Sequence, residues 1–257
     1  METLIQQTLT DLEAREGIRI LLAVESGSRA WGFASPDSDY DVRFLYVRPA
    51  AFYLRLEGHR DVLELPISGL LDVNGWDLDK TLRLLHASNP TLFEWFSSPI
   101  VYRTSPFAER FLPVLHSCYS SRKGLWHYLS MARGHCREFL QGDVVKLKKY
   151  FYALRPVLAC RWILDQRTPP PMSFADLAAA ELPPDLRPIV DRLLDQKRNA
   201  PEVACIPRQD PLNAWLESEM TRIQSRINTL PQEAPLRWDV LDRLFLSELG
   251  LSSADCA

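Results

Sequence analysis

The sequence predicts an α+β fold: a mixed sheet with helices in residues 1–104, followed by an all-helical half in residues 105–257. Two observations carry this. Short runs rich in apolar residues and bounded by polar turns recur as far as Trp76, at Ile18 to Val24, Asp41 to Val47, Asp61 to Leu65 and Leu70 to Trp76, and runs of this length suit strands. From Phe107 onward no strand pattern is convincing, and apolar residues return at the three- and four-residue spacing of amphipathic helices. With 257 residues, 46% hydrophobic and 25% charged, the chain has room for two packed sub-domains and the composition of an ordinary globular protein.

Leu4, Ile5, Leu9 and Leu12 place an amphipathic helix over Thr3 to Arg15, ended by Gly17. The first strand, Ile18 to Val24, and the second, Asp41 to Val47, flank a long polar loop. Pro49 opens a short helix to Leu56. Strands Asp61 to Leu65 and Leu70 to Trp76 are joined by Pro66-Ile-Ser-Gly69, and Asp77-Leu-Asp-Lys80 starts the next helix, through Leu85. Another follows over Asn89 to Phe96, separated at Asn89-Pro90 because the residue before proline is biased out of helix. Two basic helices fill residues 121–166. Ser121 to Leu140 has Leu125, Leu129, Ala132, Cys136 and Leu140 as its apolar stripe and His127, Ser130, Arg133 and Arg137 on another face. Val144 to Asp165 has Lys148, Tyr152 and Arg155 on one face and is expected to kink at Pro156. After the stiff linker Thr168-Pro-Pro-Pro171, an acidic helical cap over residues 173–250 is expected to bury the back of the middle helices. Its helices are Ser173 to Ala180, Asp185 to Arg198, Asn213 to Asn228 and Trp238 to Leu249.

Charge is unevenly distributed. The chain totals −3, which argues against a general nucleic-acid binder, yet Met1 to Ser121 carries −5, Arg122 to Arg167 +7 and Thr168 to Ala257 −5. Cys118, Cys136, Cys160, Cys205 and Cys256 form no Cys-x-x-Cys pair and lie far apart, so neither a disulfide framework nor a zinc site is expected. No apolar run approaches the roughly 18 residues of a membrane span, and Met1-Glu-Thr-Leu-Ile lacks the start of a signal peptide, so no membrane association and a cytoplasmic location are expected.

The chemistry concentrates between the first two strands, in Glu25-Ser-Gly-Ser-Arg-Ala-Trp-Gly-Phe-Ala-Ser-Pro-Asp-Ser-Asp-Tyr-Asp-Val-Arg43. Gly27 can take backbone angles that a side chain forbids, and Ser28 adds a hydroxyl and an amide, a combination suited to an anion. Asp39 and Asp41 are two apart, so along a strand both carboxylates leave one face, about 6.5 Å apart. Two such charges at about 5 Å and an effective dielectric of about 20 repel by roughly 3 kcal/mol unless a cation sits between them. Oxygen ligands of this kind suit Mg²⁺ or Mn²⁺. An exposed turn accounts for the same Asp-Ser-Asp-Tyr-Asp wording, because Asp and Ser turn the chain through their own hydrogen bonds.

In this order, Gly27-Ser28, ten residues, then Asp39-Tyr40-Asp41, the stretch resembles the DNA polymerase beta-like nucleotidyltransferases. Gly75-Trp-Asp-Leu-Asp-Lys80, Asn89-Pro-Thr-Leu-Phe-Glu-Trp95 and Ser97-Ser-Pro99 resemble their YcgL-like or RlaP (RNA-repair-pathway) branch of predicted nucleotidyltransferases, over about Ile18 to Leu164. The resemblance implies a third acid on a neighbouring strand, as base or metal ligand. Asp72 is favoured because it lies in the strand leading into the next helix, with Glu64 the alternative. It implies two divalent ions held by Asp39, Asp41 and Asp72, triphosphate held by Gly27 and Ser28, and Arg29 placed either to neutralise the leaving phosphates or as a structural ion pair. A helical domain commonly closes over the triphosphate in that superfamily, which makes Lys148, Tyr152 and Arg155 candidates for contacts to phosphates, base or sugar. The expected activity is transfer of a nucleoside monophosphate from an NTP such as ATP to a hydroxyl or phosphate acceptor, with an RNA end or tRNA as candidate partner. The alternative is a nucleotide-binding or antitoxin-like protein of the same fold without turnover, or a protein adenylyltransferase.

Overall fold

The computed structural model describes residues 1–231 and 237–251; Cys256 lies outside them. The described residues form two compact units. One comprises Met1–Gly27, Asp39–Tyr119 and residues 237–251, the other Ser28–Ser38 and residues 120–231.

The first unit is built on the apolar runs. Helix α1 (Glu2–Glu16) buries Ile5, Leu9 and Leu12 and ends at Gly17, whose left-handed φ of 59° lets its N–H reach the carbonyl of Glu13. Strand β1 (Arg19–Glu25) leads into the single turn α2 (Gly27–Ala30). After the loop come β2 (Tyr40–Val47), a short α3 (Ala50–Tyr53), β3 (Val62–Glu64) and β4 (Leu71–Asp77). Helices α4 (Leu78–His86) and α5 (Pro90–Phe96) follow, then β5 (Val101–Thr104) and α6 (Pro106–Ser117).

The sheet runs in the order β3-β4-β2-β1-β5, with β2 and β4 parallel and every other pair antiparallel. On one face Ile5, Leu9 and Leu12 pack against Ile20, Val42, Phe44, Tyr46 and Val73. On the other, Leu21, Val24 and Leu45 pack against Leu82, Leu85, Leu92, Trp95 and Phe111. The edge strand β5 falls outside the strands expected from the sequence. Its four residues are half-buried or exposed and carry no apolar run.

The second unit is mainly helical. Helix α7 (Ser121–Phe139) packs its expected stripe against the long helix α8 (Leu147–Gln166), which is buried nearly all round and continues through Pro156. The residues before it correct the sequence reading: Val144–Lys146 is a strand, β6, not a first helical turn. After α9 (Phe174–Glu181) and α10 (Arg187–Asn199), the chain forms β7 (Cys205–Pro207), which pairs antiparallel with β6, and then α11 (Asp210–Asn228). The loop segment Ser28–Ser38 belongs here. Phe33 is fully buried, its ring 5.0 Å from Phe151 and 5.6 Å from Phe174, and the Phe174 amide donates to the carbonyl of Trp31.

Helix α12 (Trp238–Glu248) also differs from expectation. It packs on α4 and α6 of the first unit instead of covering the middle helices, with Leu241 and Leu244 buried in that core. Cys118, Cys136 and Cys160 are buried free thiols and Cys205 is an exposed one. No helix of the described residues is long and apolar enough to cross a membrane.

Candidate functional site

The parallel pairing of β2 and β4 puts Asp41 beside Asp72 and Arg43 beside Asn74. Side chains two apart on a strand share a face, so Asp41, Arg43 and Asp72 meet. The Nη2 of Arg43 donates to Asp41 Oδ1 at 2.8 Å and to Asp72 Oδ2 at 2.7 Å, while its Nη1 donates to the carbonyls of Val42 and Asp72, each at 3.2 Å. The favoured third acid is therefore next to Asp41. Glu64, the alternative, is exposed on the edge strand β3 and accepts from Asn74 Nδ2 at 2.9 Å. Asp39 is exposed in the turn before β2, one residue ahead of the strand. Among the described residues no group of three or more His, Cys, Asp or Glu side chains is gathered as a metal cluster; the structure brings together Asp41 and Asp72, and not Asp39 with them.

Gly27 closes this site from the loop side. Its φ is +60°, and a Cβ there would overlap Asp41 Oδ2, so only glycine lets the backbone lie against that carboxylate. A residue the sequence reading passed over holds the arrangement in place. Glu25, at the end of β1, is fully buried; its Oε1 accepts from the Asp41 amide at 2.7 Å, its Oε2 accepts from the Tyr102 hydroxyl, and its carbonyl accepts from Ser98 Oγ at 2.6 Å. An acid closing an apolar strand was the available signal, since a buried carboxylate needs such donors.

Of the three acids, Asp41 and Asp72 are brought together as hard oxygen donors, of the kind Mg²⁺ or Mn²⁺ takes, and Asp39 stands apart from them. In the structure a guanidinium stands between the paired acids as a cation of the chain's own. Asp41 and Asp72 thus suit a divalent ion in donor chemistry and in charge, at the position that the Arg43 guanidinium takes here.

The other candidates lie in the second unit. Ser28 is buried, and its carbonyl accepts from the Phe33 amide at 3.1 Å. Arg29 donates from Nη2 to the carbonyl of Ser38 at 2.7 Å, tying the two ends of the loop segment together. Tyr152 is half-buried, with its ring 5.4 Å from Trp31 and 5.4 Å from His135. Arg155, read from the sequence as a possible phosphate ligand, is only 1% exposed. Its guanidinium lies 4.7 Å from the Trp31 ring and Nε donates to the carbonyl of Met172 at 3.3 Å, so it braces the loop from inside.

Lys148 makes an ion pair with Glu202 Oε2 at 3.0 Å, and Glu202 is the hub of a network that sequence reading missed. Its Oε1 accepts from the buried Lys197 Nζ at 2.6 Å and from Ser38 Oγ, and its amide donates to Asp37. Lys197 also donates to Ser35 Oγ. Burial would raise the Glu202 carboxyl, but the hydrogen bonds from Lys197, Ser38 and Lys148 outweigh it and hold the group at about 2. Next along α8, burial and the neighbouring Lys148 depress the Lys149 ammonium, and burial together with Lys149 keeps His135 below its ordinary value.

A family model described as RlaP, the RNA repair pathway DNA polymerase beta family, matches residues 1–247. The uncharacterized protein YcgL of Bacillus subtilis (strain 168) is 44% identical over 251 residues, covering 96% of each chain. Among solved structures, a nucleotidyltransferase-like protein from Exiguobacterium sibiricum 255-15 matches over 97% of this chain and 79% of its own, at 14% identity and a TM-score of 0.31.

Proposed function

The chain belongs to the RNA repair pathway DNA polymerase beta family, and from that membership we propose that it is a metal-dependent nucleotidyltransferase. It moves a nucleoside monophosphate from a nucleoside triphosphate to a hydroxyl or phosphate acceptor and releases pyrophosphate. The observation that supports this most is the pairing of Asp41 with Asp72 on adjacent parallel strands, with the Gly27 backbone against Asp41.

Asp39, Asp41 and Asp72 are the residues to hold two ions, Mg²⁺ or Mn²⁺, which when bound supply charge neutralisation for the attacking and leaving oxygens. Gly27 and Ser28 orient the β and γ phosphates. Arg29, Lys148 and Tyr152 supply charge and hydrogen-bond donors for the triphosphate, base or sugar, and Arg155 supports them through Trp31 of the loop segment. When the acceptor is a hydroxyl, its oxygen attacks the α-phosphorus in line and its proton passes to a carboxylate oxygen of Asp72. The bond from the α-phosphorus to the bridging oxygen breaks and pyrophosphate leaves with that electron pair. The net +7 between Arg122 and Arg167 and the family's RNA-repair description favour an RNA end as acceptor.

Incubation with each α-labelled NTP, Mg²⁺ or Mn²⁺ and a mixed tRNA pool tests the proposal, with Asp41→Asn and Asp72→Asn as controls. Label should move to RNA with the native protein alone. Label appearing on protein would point instead to a protein adenylyltransferase. Triphosphate binding with no label moving anywhere would leave a nucleotide-binding or antitoxin-like protein without turnover, a reading that the Arg43 guanidinium between the acids favours.

A further inference from the structure

The two acids at the centre of the site already share a cation, the side chain of Arg43. This residue is fixed from several directions: its two terminal nitrogens reach two carboxylate oxygens and two backbone carbonyls, and only 18% of its side chain is exposed. A single nitrogen, Nη2, bridges Asp41 Oδ1 and Asp72 Oδ2. Asp41 and Asp72 are the carboxylates that would hold a divalent ion, and charge-assisted bonds of 2.8 and 2.7 Å already engage one oxygen of each. The carboxylates are about a third exposed at most, 27% and 32%, so their mutual repulsion is only partly screened when no cation lies between them.

We propose that Arg43 is a positioning residue, a tethered counter-ion that holds Asp41 and Asp72 together in the metal-free protein and withdraws from between them when a divalent ion enters. Guanidinium and metal ion then exclude one another at this pair of oxygens. The inference rests on the reading of Asp41 and Asp72 as metal ligands. Arg43 lies two residues beyond Asp41 on the same strand face, so rotation about its own side-chain bonds is enough to vacate the position, with no change in the β2–β4 pairing. A guanidinium that merely stabilised the sheet would stay between the acids with metal bound, leaving its nitrogens within direct reach of the ion.

The test is Mn²⁺ binding, read from the free-ion signal by electron paramagnetic resonance, for the full-length native protein, Arg43→Gln, Arg43→Lys and Asp41→Asn. Circular dichroism confirms that each variant is folded. Removing the competing charge should tighten Mn²⁺ binding about tenfold or more in Arg43→Gln, whereas Arg43→Lys, which keeps the charge, should stay near native. Without metal, Arg43→Gln should melt below the native protein, and saturating Mn²⁺ should close that gap. Mn²⁺ binding that Asp41→Asn abolishes but Arg43→Gln leaves equal or weaker overturns the role of Arg43 and spares the metal reading. Should Arg43→Gln not fold, the native protein decides through a pulsed measurement of Mn²⁺ proximity to ¹⁵N-labelled arginine side chains, with Arg43→Lys as the control that lacks the Arg43 signal: native Arg43 nitrogens within direct reach of bound Mn²⁺ would contradict withdrawal. Absence of Mn²⁺ binding in both native protein and variants overturns both readings.

Discussion

Gly27 occupies the left-handed region and has no room for a side chain, because Asp41 Oδ2 lies where a Cβ would go. Gly27→Ala is therefore expected to cost about 1–3 kcal/mol of stability, from backbone strain together with the displaced carboxylate, and to weaken binding of a fluorescent triphosphate analogue. Urea unfolding measures the first effect; a native midpoint would refute it. Glu202 carries a second prediction. Its folded-state carboxyl sits at about 2 against an ordinary 4.5. A depressed acid contributes stability that is fully present above its unfolded value and is lost as pH falls through the folded one. The native protein should thus lose stability between about pH 5 and pH 2, and Glu202→Gln should flatten that part of the curve in urea titrations at stepped pH. Glu202→Ala leaves Lys197 buried without its carboxylate and should cost about 3–5 kcal/mol at neutral pH. At this scale Gly27 and Asp41 are legible as candidates because their types and spacing are local, whereas Asp72 enters only through the family resemblance, beside Glu64, until the β2–β4 pairing sets it next to Asp41. Arg43 reads as an ordinary charge on a strand until the parallel partner is known. Glu202 is harder still, since Ser38 and Asp37 lie far away along the chain.

Among elements, those with signals inside their own residues were legible. Helix α4 begins where Asp77 accepts from the Asp79 amide at 3.0 Å, and α5 where Asn89 accepts from the Thr91 amide with Pro90 in the first turn. Asp77 is also fully buried and accepts from the Tyr53 hydroxyl at 2.8 Å, so it fastens α4 to the connection between β2 and β3. Asp77→Ala removes both bonds and should lower stability by about 1–3 kcal/mol; a thermal melt within error of native would contradict that role. The strands β5, β6 and β7 left no such mark. Each has only three or four residues, and what fixes it is a distant partner: β6 pairs with β7 across about 60 residues of chain, and β5 pairs with β1. Strand preference depends on such neighbours more than on the residues themselves. Val144-Val-Lys146 accordingly reads as a continuation of the helical pattern that follows it.

Across the molecule, composition suggested a division along the chain, whereas each compact unit is assembled from separated segments. Ser28–Ser38 leaves the first unit's sequence to place Phe33 among Phe151 and Phe174, and residues 237–251 return to the first unit after the whole of the second. No shift in net charge marks either segment, because burial of a few apolar side chains decides it. Helix α12 provides the test. It buries Leu241 and Leu244 against α4 and α6, and Glu248 at its end is paired with Arg19 of β1 and Arg110 of α6. A chain stopped after Pro231 would uncover the leucines' partners in the first unit and leave both arginines without that carboxylate. Burial of two leucines contributes about 3–6 kcal/mol, so the shortened chain should lose much of the first unit's stability while α7, α8 and α11 keep theirs. Hydrogen exchange separates the two: amides of β1, β2 and β4 should exchange faster, and those of α8 at native rates. Unchanged protection in β1, β2 and β4 would mean that α12 rests on a core already complete without it.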